Sequence, residues 1–399
     1  NSREGVTVNL ATGVATDGFG FTDTLSNIER IRGSDHNDVL TGDANDNIIE
    51  SRFGSDTLVG GGGNDTLKGL LRDVQSQDFT TADYSAATAG INVVMTAKGT
   101  VTGDASVGTD TLEVVDRIFG SAFADTYLAD DQQNGHFTSF NVFEGGAGND
   151  TITGNGRTRA QYTQATGGVT VDFSAGTAIG DASVGTDTLS NVTRVRSSSS
   201  ADTLLGTDET DFEEFQGRGG NDVIDGRGGV SDQVRYDGPT GATVNLSTGV
   251  AIDGFGGTDT ISGIERIRAS SHDDVLTGDA NDNRFTPQAG ADTIDGGAGI
   301  DTVSYDTTFN EPNVGVTVNL TTGLATDAGG STDTLTSIEN IVGTDFNDTI
   351  TGSSDANSLS GQDGVDTFIG SAGNDILRGS SNTEDFSTNY SVVDYSSGT

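Results

Sequence analysis

An Asp or Asn recurs every nine positions in blocks of this chain: Asp38, Asn47, Asp56 and Asp65; Asp274, Asn283, Asp292 and Asp301; Asp348, Asn357, Asp366 and Asp375. Two positions after each stands an apolar residue. The first block has Leu40, Ile49, Leu58 and Leu67, the second Leu276, Phe285, Ile294 and Val303, the third Ile350, Leu359, Phe368 and Leu377. The best-formed copies, Gly60-Gly-Gly-Gly-Asn-Asp65-Thr-Leu67 and Gly145-Gly-Ala-Gly-Asn-Asp150-Thr-Ile152, fit the pattern G-G-x-G-x-D-x-U-x. Glycines let a loop turn with φ > 0 and aim its carbonyls inward. The apolar residue then points into a core, because strand side chains alternate.

The charge balance says what must accompany such a chain. Sixty acidic residues against 19 basic ones leave −41, and a compact fold with that self-repulsion needs counter-ions. Divalent ions on the order of 20 would neutralise it, a ceiling rather than a count of sites. With 59 Gly, 3 Pro and acid that is mostly Asp after Gly, the composition is turn and ligand chemistry rather than disorder. The absence of Cys leaves metal as the candidate staple. No apolar run approaches the roughly 20 residues of a membrane span, and the acidic balance argues against nucleic acid as partner. The chain begins at Asn1 without a visible signal peptide, so we expect a processed chain or a piece of a longer one.

The nonapeptides sit inside longer units. A Thr-Asp-Thr-Leu/Ile marker places its Asp at 23, 110, 187, 259 and 333, at spacings of 87, 77, 72 and 74. Each unit opens with an alternating strand, such as Val6, Val8 and Leu10, and closes near a Tyr: Tyr84, Tyr162, Tyr236, Tyr305 and Tyr395. The expected units are 1–89, 90–167 with a loop insertion around 129–140, 168–240, 241–314 and 315–399, forming one continuous solenoid. Length alone would suggest two or three domains, but repetition overrides it. No segment shows a 3.6-residue apolar period, so almost no helix is expected. The chain stops just after a closing Tyr and starts just before an opening strand, so a head-to-tail splice would be nearly seamless. An uncapped sheet edge is adhesive, and a head-to-tail contact that does not close gives a fibre.

The chemistry points to calcium. Ca²⁺ takes six to eight hard oxygens, which Asp carboxylates and glycine-loop carbonyls supply. Two nonapeptides make one coil, so loops 18 residues apart stack: Asp38/Asp56, Asp274/Asp292 and Asp348/Asp366 on one edge, Asn47/Asp65, Asn283/Asp301 and Asn357/Asp375 on the other. Stacked carboxylates without a cation repel. The competing reading is a metal-free array of Asp and Asn turn ladders.

On these residues the chain resembles the hemolysin-type (RTX) calcium-binding repeat family of secreted bacterial proteins. The resemblance implies an all-β, right-handed parallel β-solenoid (an RTX-type β-roll), multiple Ca²⁺ ions, folding triggered by extracellular calcium, and type I secretion. Carried over residue by residue, it implies metal ligation at Asp56, Asp65, Asp150, Asp222, Asp292, Asp301, Asp366 and Asp375, where Gly stands two residues before the Asp. With them go Gly61, Gly63, Gly146, Gly148, Gly220, Gly297, Gly299, Gly364 and Gly373. Asp38, Asp125, Asp202, Asp274 and Asp348 lack that Gly and carry over less directly. Arg52, Arg218, Gln288, Ala289 and Ser371 stand where the pattern wants Gly.

No catalytic site is expected. His36 and His272 both lie 13 residues after the marker Asp, where other units place Phe123, Ser200 and Phe346. His136 falls in the unit-two insertion. Arg30, Arg32, Arg117, Arg194, Arg196, Arg266 and Arg268 occupy one strand of their units, which predicts a basic stripe that neutralises neighbouring Asp or binds acidic polysaccharide or another cell-surface glycan. Together these features predict a non-enzymatic, extracellular, cell-surface structural protein: a surface layer, filament or adhesin stalk that self-associates head to tail. The alternatives are the calcium-dependent folding and export region of a larger type I-secreted enzyme, and a glycan-binding module.

Overall fold

The computed structural model describes residues 3–70, 79–96, 98–129, 141–306, 314–379 and 391–394. Every regular element among them is a β-strand, most of them three residues long. The chain divides into two compact units, Asn1–Leu205 and Gly206–Thr399.

In the first unit the nonapeptide strands build two parallel ladders. Val39–Thr41 pairs with Ser55–Val59 (Val39 opposite Thr57), and Ile48–Glu50 pairs with Thr66–Lys68 (Ile48 opposite Thr66). The offset is the expected two nonapeptides. Leu40, Ile49, Leu58 and Leu67 point inward from the two ladders in turn and are completely buried, each stabilising the fold by roughly 1.5–3 kcal/mol. The second unit repeats the arrangement. Val275–Thr277 pairs with Thr293–Asp295, and Arg284–Thr286 with Thr302–Ser304. Leu276, Phe285, Ile294 and Val303 line the interior.

The fold is not parallel throughout. Each opening strand continues into an antiparallel meander of three strands, the marker being the third. Thr7–Asn9, Val14–Thr16 and Thr22–Thr24 form the first; Asn92–Met95, Gly99–Thr102 and Thr109–Glu113 the second; Thr170–Asp172, Thr177–Ile179 and the start of Thr186–Arg196 the third. The second unit contributes Thr243–Asn245, Val250–Ile252 and Thr258–Ser262, then Thr317–Asn319, Leu324–Thr326 and Thr332–Thr336. The reversal is local chemistry: Gly13, Gly176, Gly249 and Gly323 sit at φ between +66° and +68° in the first turn of four of them, a conformation that suits a tight hairpin. The first and third strands of a meander run parallel to each other, so it fills a single slot in a parallel ladder. Thr188 of the third meander lies opposite Thr151 on one side, and Thr170 lies opposite Thr203 on the other.

Counting slots corrects the expected basic stripe. The first meander joins the ladder of Val39–Thr41, whereas the second joins that of Thr66–Lys68. An even number of single strands between them moves the second meander to the opposite ladder. Arg30 and Arg32 therefore lie on the ladder of Ile48–Glu50, and Arg117 lies on the other, opposite Thr81. Arg159 and Arg194 share Arg117's ladder, opposite Val142 and Arg159 respectively. The arginines of the first unit thus form two groups rather than one line.

The closing tyrosines and the markers, two separate signals in the sequence, meet in space. The Tyr84 hydroxyl donates to Asp110 (3.0 Å), Tyr236 to Asp259 (3.0 Å) and Tyr305 to Asp333 (2.8 Å). Tyr and Asp are buried in each pair. Tyr162 and Asp187 stand in the same relation at longer range; burial, then Asp187, raises that phenol. Asp23, the first marker, is exposed, and Tyr395 lies outside the described residues, as do His136 and most of the unit-two insertion.

Candidate calcium loops

The two ladders stack the loop carboxylates in columns. In almost every nonapeptide one carboxylate oxygen accepts the backbone N–H of the Asp or Asn one coil earlier: Asp38 to Asp56 (2.9 Å), Asn47 to Asp65 (2.7 Å), Asp125 to Asp150 (2.8 Å), Asp274 to Asp292 (2.8 Å), Asn283 to Asp301 (2.8 Å), Asp348 to Asp366 (3.1 Å) and Asn357 to Asp375 (3.0 Å). All thirteen candidate Asp ligands except Asp375 are buried. Charge-assisted bonds of this kind fix register. They use one carboxyl oxygen, and the fate of the other separates the loops into two classes.

The first class is self-contained. In the loops of Asp38, Asp125, Asp202, Asp274 and Asp348, a Ser or Thr four residues earlier answers the carboxylate with both its amide and its hydroxyl. Ser34 gives bonds of 2.6 and 2.8 Å to Asp38, Ser121 two of 2.7 Å to Asp125, and Thr344 bonds of 2.7 and 2.9 Å to Asp348. Ser198 and Ser270 treat Asp202 and Asp274 alike. Their first oxygens accept the amides of Val6, Ile91, Val169, Ala242 and Val316 from the opening strands. These carboxylates are saturated by protein donors.

The second class lacks the paired amide and hydroxyl: at the same place stand Gly, Arg, Gln or, before Asp375, Ser371, whose hydroxyl donates to the Gly352 carbonyl (3.1 Å) instead. In the loops ending at Asp65, Asp150 and Asp301 the second and fourth positions are both Gly with φ > 0: Gly61 (+92°) and Gly63 (+107°), Gly146 (+86°) and Gly148 (+134°), Gly297 (+92°) and Gly299 (+130°). The loops ending at Asp56, Asp222, Asp292, Asp366 and Asp375 hold the same backbone with a side chain at the second position. The pairs are Arg52 (+90°) with Gly54, Arg218 (+72°) with Gly220, Gln288 (+73°) with Gly290, Gln362 (+64°) with Gly364 and Ser371 (+69°) with Gly373. Left-handed φ at non-glycine residues is held by the surrounding stack against its own preference. The departures from Gly noted in the sequence leave the loop shape intact.

In this class Oδ2 of Asp65, Asp150, Asp292 and Asp301 is buried without a hydrogen-bond partner among the described residues. The glycines face carbonyl oxygens of the loop one coil earlier. A Cβ on Gly61 would stand 2.1 Å from the Asp43 carbonyl oxygen, one on Gly146 2.4 Å from that of Ser121, and one on Gly297 2.6 Å from that of Asp279. Burial, ahead of neighbouring charge, pushes the Asp150 and Asp292 carboxyls up to about 8 and those of Asp65 and Asp301 up to about 6. Among the described residues no three acidic or histidine side chains converge on one point. A cation here would therefore be held by one or two carboxylates and the loop carbonyls, a donor set of hard oxygens that fits calcium. The residues fit the ion the sequence implied.

The carboxylate columns do not stop at the meanders. The amides of Asp65, Asp150, Asp222 and Asp292 donate to the marker residues Asp110, Asp187, Asp259 and Asp333 at 2.9–3.0 Å. Glu265 and Glu339 accept the amides of Asp232 and Asp301 on the other edge of the second unit. None of these was a candidate ligand. The signal was present: Asp110-Thr-Leu112 repeats the spacing of Asp65-Thr-Leu67.

Comparison with known proteins agrees. The model of the RTX calcium-binding nonapeptide repeat (4 copies) matches residues 32–67, 138–156, 262–287, 268–303 and 342–377. No curated protein matches the chain. Its nonapeptide repeats bind calcium at multiple sites, as such repeats do, and over the matched segments the chain carries the repeat of the hemolysin-type (RTX) calcium-binding family.

Proposed function

We propose that the chain is a calcium-stabilised extracellular structural repeat protein, a right-handed β-roll serving in a surface layer, filament or adhesin stalk, without catalytic activity. The observation that carries this is the division of the loops. In the loops of Asp65, Asp150, Asp292 and Asp301 a buried carboxylate oxygen has no hydrogen-bond partner among the described residues, so calcium there, and in the like-shaped loops of Asp56, Asp222, Asp366 and Asp375, completes the fold. The Ser and Thr loops carry no ion. Where free calcium is low, carboxylate repulsion opposes folding; outside the cell, calcium binding becomes folding energy. Head-to-tail association belongs to this reading, because a solenoid that repeats one coil can stack on a second copy of itself. Circular dichroism through a calcium titration and chelation, with each sample imaged by electron microscopy, tests it. A reversible gain of β-structure accompanied by fibres is expected; a spectrum indifferent to chelator removes the calcium switch, and monomers throughout remove the filament.

One observation favours a glycan-binding role beside it. In the second unit Arg266 lies opposite Arg284, and Arg235 opposite Arg268, on adjoining strands. Arg284 donates to the Ser304 hydroxyl (2.7 Å) and Arg266 lies over the Phe212 ring. Such an array suits a carboxylated or sulfated polysaccharide. Binding of dextran sulfate but not dextran, weakened in Arg266→Gln/Arg284→Gln, is the expected result; equal binding by variant and parent rules the array out.

A further inference from the structure

The turns that lead into the marker Asp come in two kinds. Gly103-Asp-Ala-Ser-Val-Gly-Thr-Asp110 and Gly180-Asp-Ala-Ser-Val-Gly-Thr-Asp187 keep their leading Asp104 and Asp181 exposed. There Asp104 accepts from the Ser106 and Thr88 hydroxyls, and Asp181 from those of Ser183 and Thr166. Asp253-Gly-Phe-Gly-Gly-Thr-Asp259 and Asp327-Ala-Gly-Gly-Ser-Thr-Asp333 turn the leading Asp inward, leaving Asp253 2% and Asp327 4% exposed. One oxygen of each caps its own turn. Asp253 Oδ1 accepts the amides of Phe255 (2.8 Å) and Gly257 (2.7 Å), and Asp327 Oδ1 that of Ser331 (2.7 Å). The other oxygen, Oδ2, is buried in both without a partner among the described residues.

Each of these turns lies against a nonapeptide loop. The Thr258 amide donates to the Asn221 side chain (2.9 Å). A Cβ on Gly257 would stand 2.6 Å from Asp253 Oδ2 and 1.6 Å from the Gly220 carbonyl oxygen, so carboxylate and carbonyl approach one gap that only glycine leaves open. At the second turn the Asp292 amide donates to Asp333 (3.0 Å), and Asp292 Oδ2 is unpartnered beside it. The buried Tyr305 phenol reports the crowding: burial, then Asp333, Asp292 and Asp327, raises it well above its ordinary value. Buried carboxylates so placed repel unless a cation lies between them.

We infer that Asp253 and Asp327 are cation ligands, each closing a calcium site between its meander turn and the nonapeptide loop stacked on it. The donors are the unpartnered carboxylate oxygen, the neighbouring Asp222 or Asp292 carboxylate and loop carbonyls, all hard oxygens. Both residues lie outside the matched nonapeptide segments, so these sites are additional to the repeat's own. They pin the meander to the parallel ladder, a junction that the hydroxyl-capped turns secure without metal. The inference rests on the glycine loops binding calcium.

The test is calcium stoichiometry of the full chain by equilibrium dialysis and native mass spectrometry, with circular dichroism to confirm folding. Asp253→Asn/Asp327→Asn keeps the turn-capping oxygen and is expected to bind two fewer ions than the parent. Asp104→Asn/Asp181→Asn is expected to bind the parental number. An unchanged count in the first variant, or an equal loss in the second, overturns the inference. Asp65→Asn/Asp301→Asn separates the readings: if the parent binds calcium and this variant loses ions while Asp253→Asn/Asp327→Asn does not, only the meander sites fall. A parent that binds no calcium overturns both.

Discussion

Asp274 and Asp292 occupy consecutive coils of one column, share a hydrogen bond of 2.8 Å, and are each 1% exposed. Ser270 answers Asp274 with an amide and a hydroxyl at 3.0 Å; nothing among the described residues answers Oδ2 of Asp292. The two differ four residues upstream, Ser270 against Gln288 at φ +73°. An amide and a hydroxyl satisfy a buried carboxylate as a cation would, so in this pair the residue four positions upstream separates a carboxylate answered by the chain from one left open to an ion. Ser371, a serine in that place at φ +69° whose hydroxyl turns to the Gly352 carbonyl, shows that the backbone conformation counts as well as the hydroxyl. Alternating the two along a column gives a fold with permanent rungs and conditional ones.

Removing the ion is the largest way to break this comparison. Chelation should unfold the glycine-loop coils while the hydroxyl-capped coils near Asp274 and Asp348 exchange their amides more slowly, as hydrogen exchange on the full chain would show. Uniform exchange across both classes would erase the distinction. Single substitutions sharpen it. Asp292→Ala should lower calcium affinity at least about tenfold. Asp274→Ala should leave affinity unchanged but cost about 1–3 kcal/mol of stability, because the Ala242 amide and Ser270 lose a buried acceptor. Calcium titrations and denaturant melts of both variants separate the two effects.

Acid probes the same contrast. Asp150 and Asp292 sit at about 8 in the calcium-free fold, chiefly through burial, against roughly 3.9 in an unfolded chain. A raised folded value means stability that is fully present below about 4 and is lost as pH rises through about 8. The calcium-free protein should therefore be most compact in mild acid and loosen toward pH 8. Calcium takes the ionised form, so its affinity should climb over the same interval. Scattering without calcium and calorimetry with it, at several pH values, follow both trends; an affinity flat between pH 5 and 8 would contradict them.

The nine-residue beat made the parallel register, the buried Leu and Ile rows and the all-β class legible, because each depends on local spacing alone. The grouping of candidate Asp by the Gly two residues before them also anticipated the two loop classes. What the Ser or Thr four residues upstream does was hidden: Ser34, Ser121 and Ser270 read as ordinary turn residues until their hydroxyls are placed on a carboxylate. The meanders escaped for another reason. Val14–Thr16 and Leu324–Thr326 are short strands whose only partners among the described residues are their neighbours in the hairpin, and three residues carry too little alternation to be seen. The side to which a meander falls depends on the parity of strands between repeats, a long-range count that scattered the expected arginine stripe.

The smallest effect tests the backbone rather than the ion. Gln362 and Ser371 hold φ of +64° and +69° where Gly61 and Gly297 hold +92°. If the loop shape is imposed by the stack, Gln362→Gly and Ser371→Gly should each stabilise the calcium-loaded protein by at most about 1 kcal/mol, the relief of left-handed strain being offset by the greater freedom of glycine in the unfolded chain. Gly61→Ala, by contrast, must bring its Cβ to within 2.1 Å of the Asp43 carbonyl oxygen, and should lose both stability and calcium at that loop. Equal melting temperatures for Gly61→Ala and the parent would show that the carbonyl approach is not needed, and the glycine loop would then differ from the serine loop only in lacking a hydroxyl.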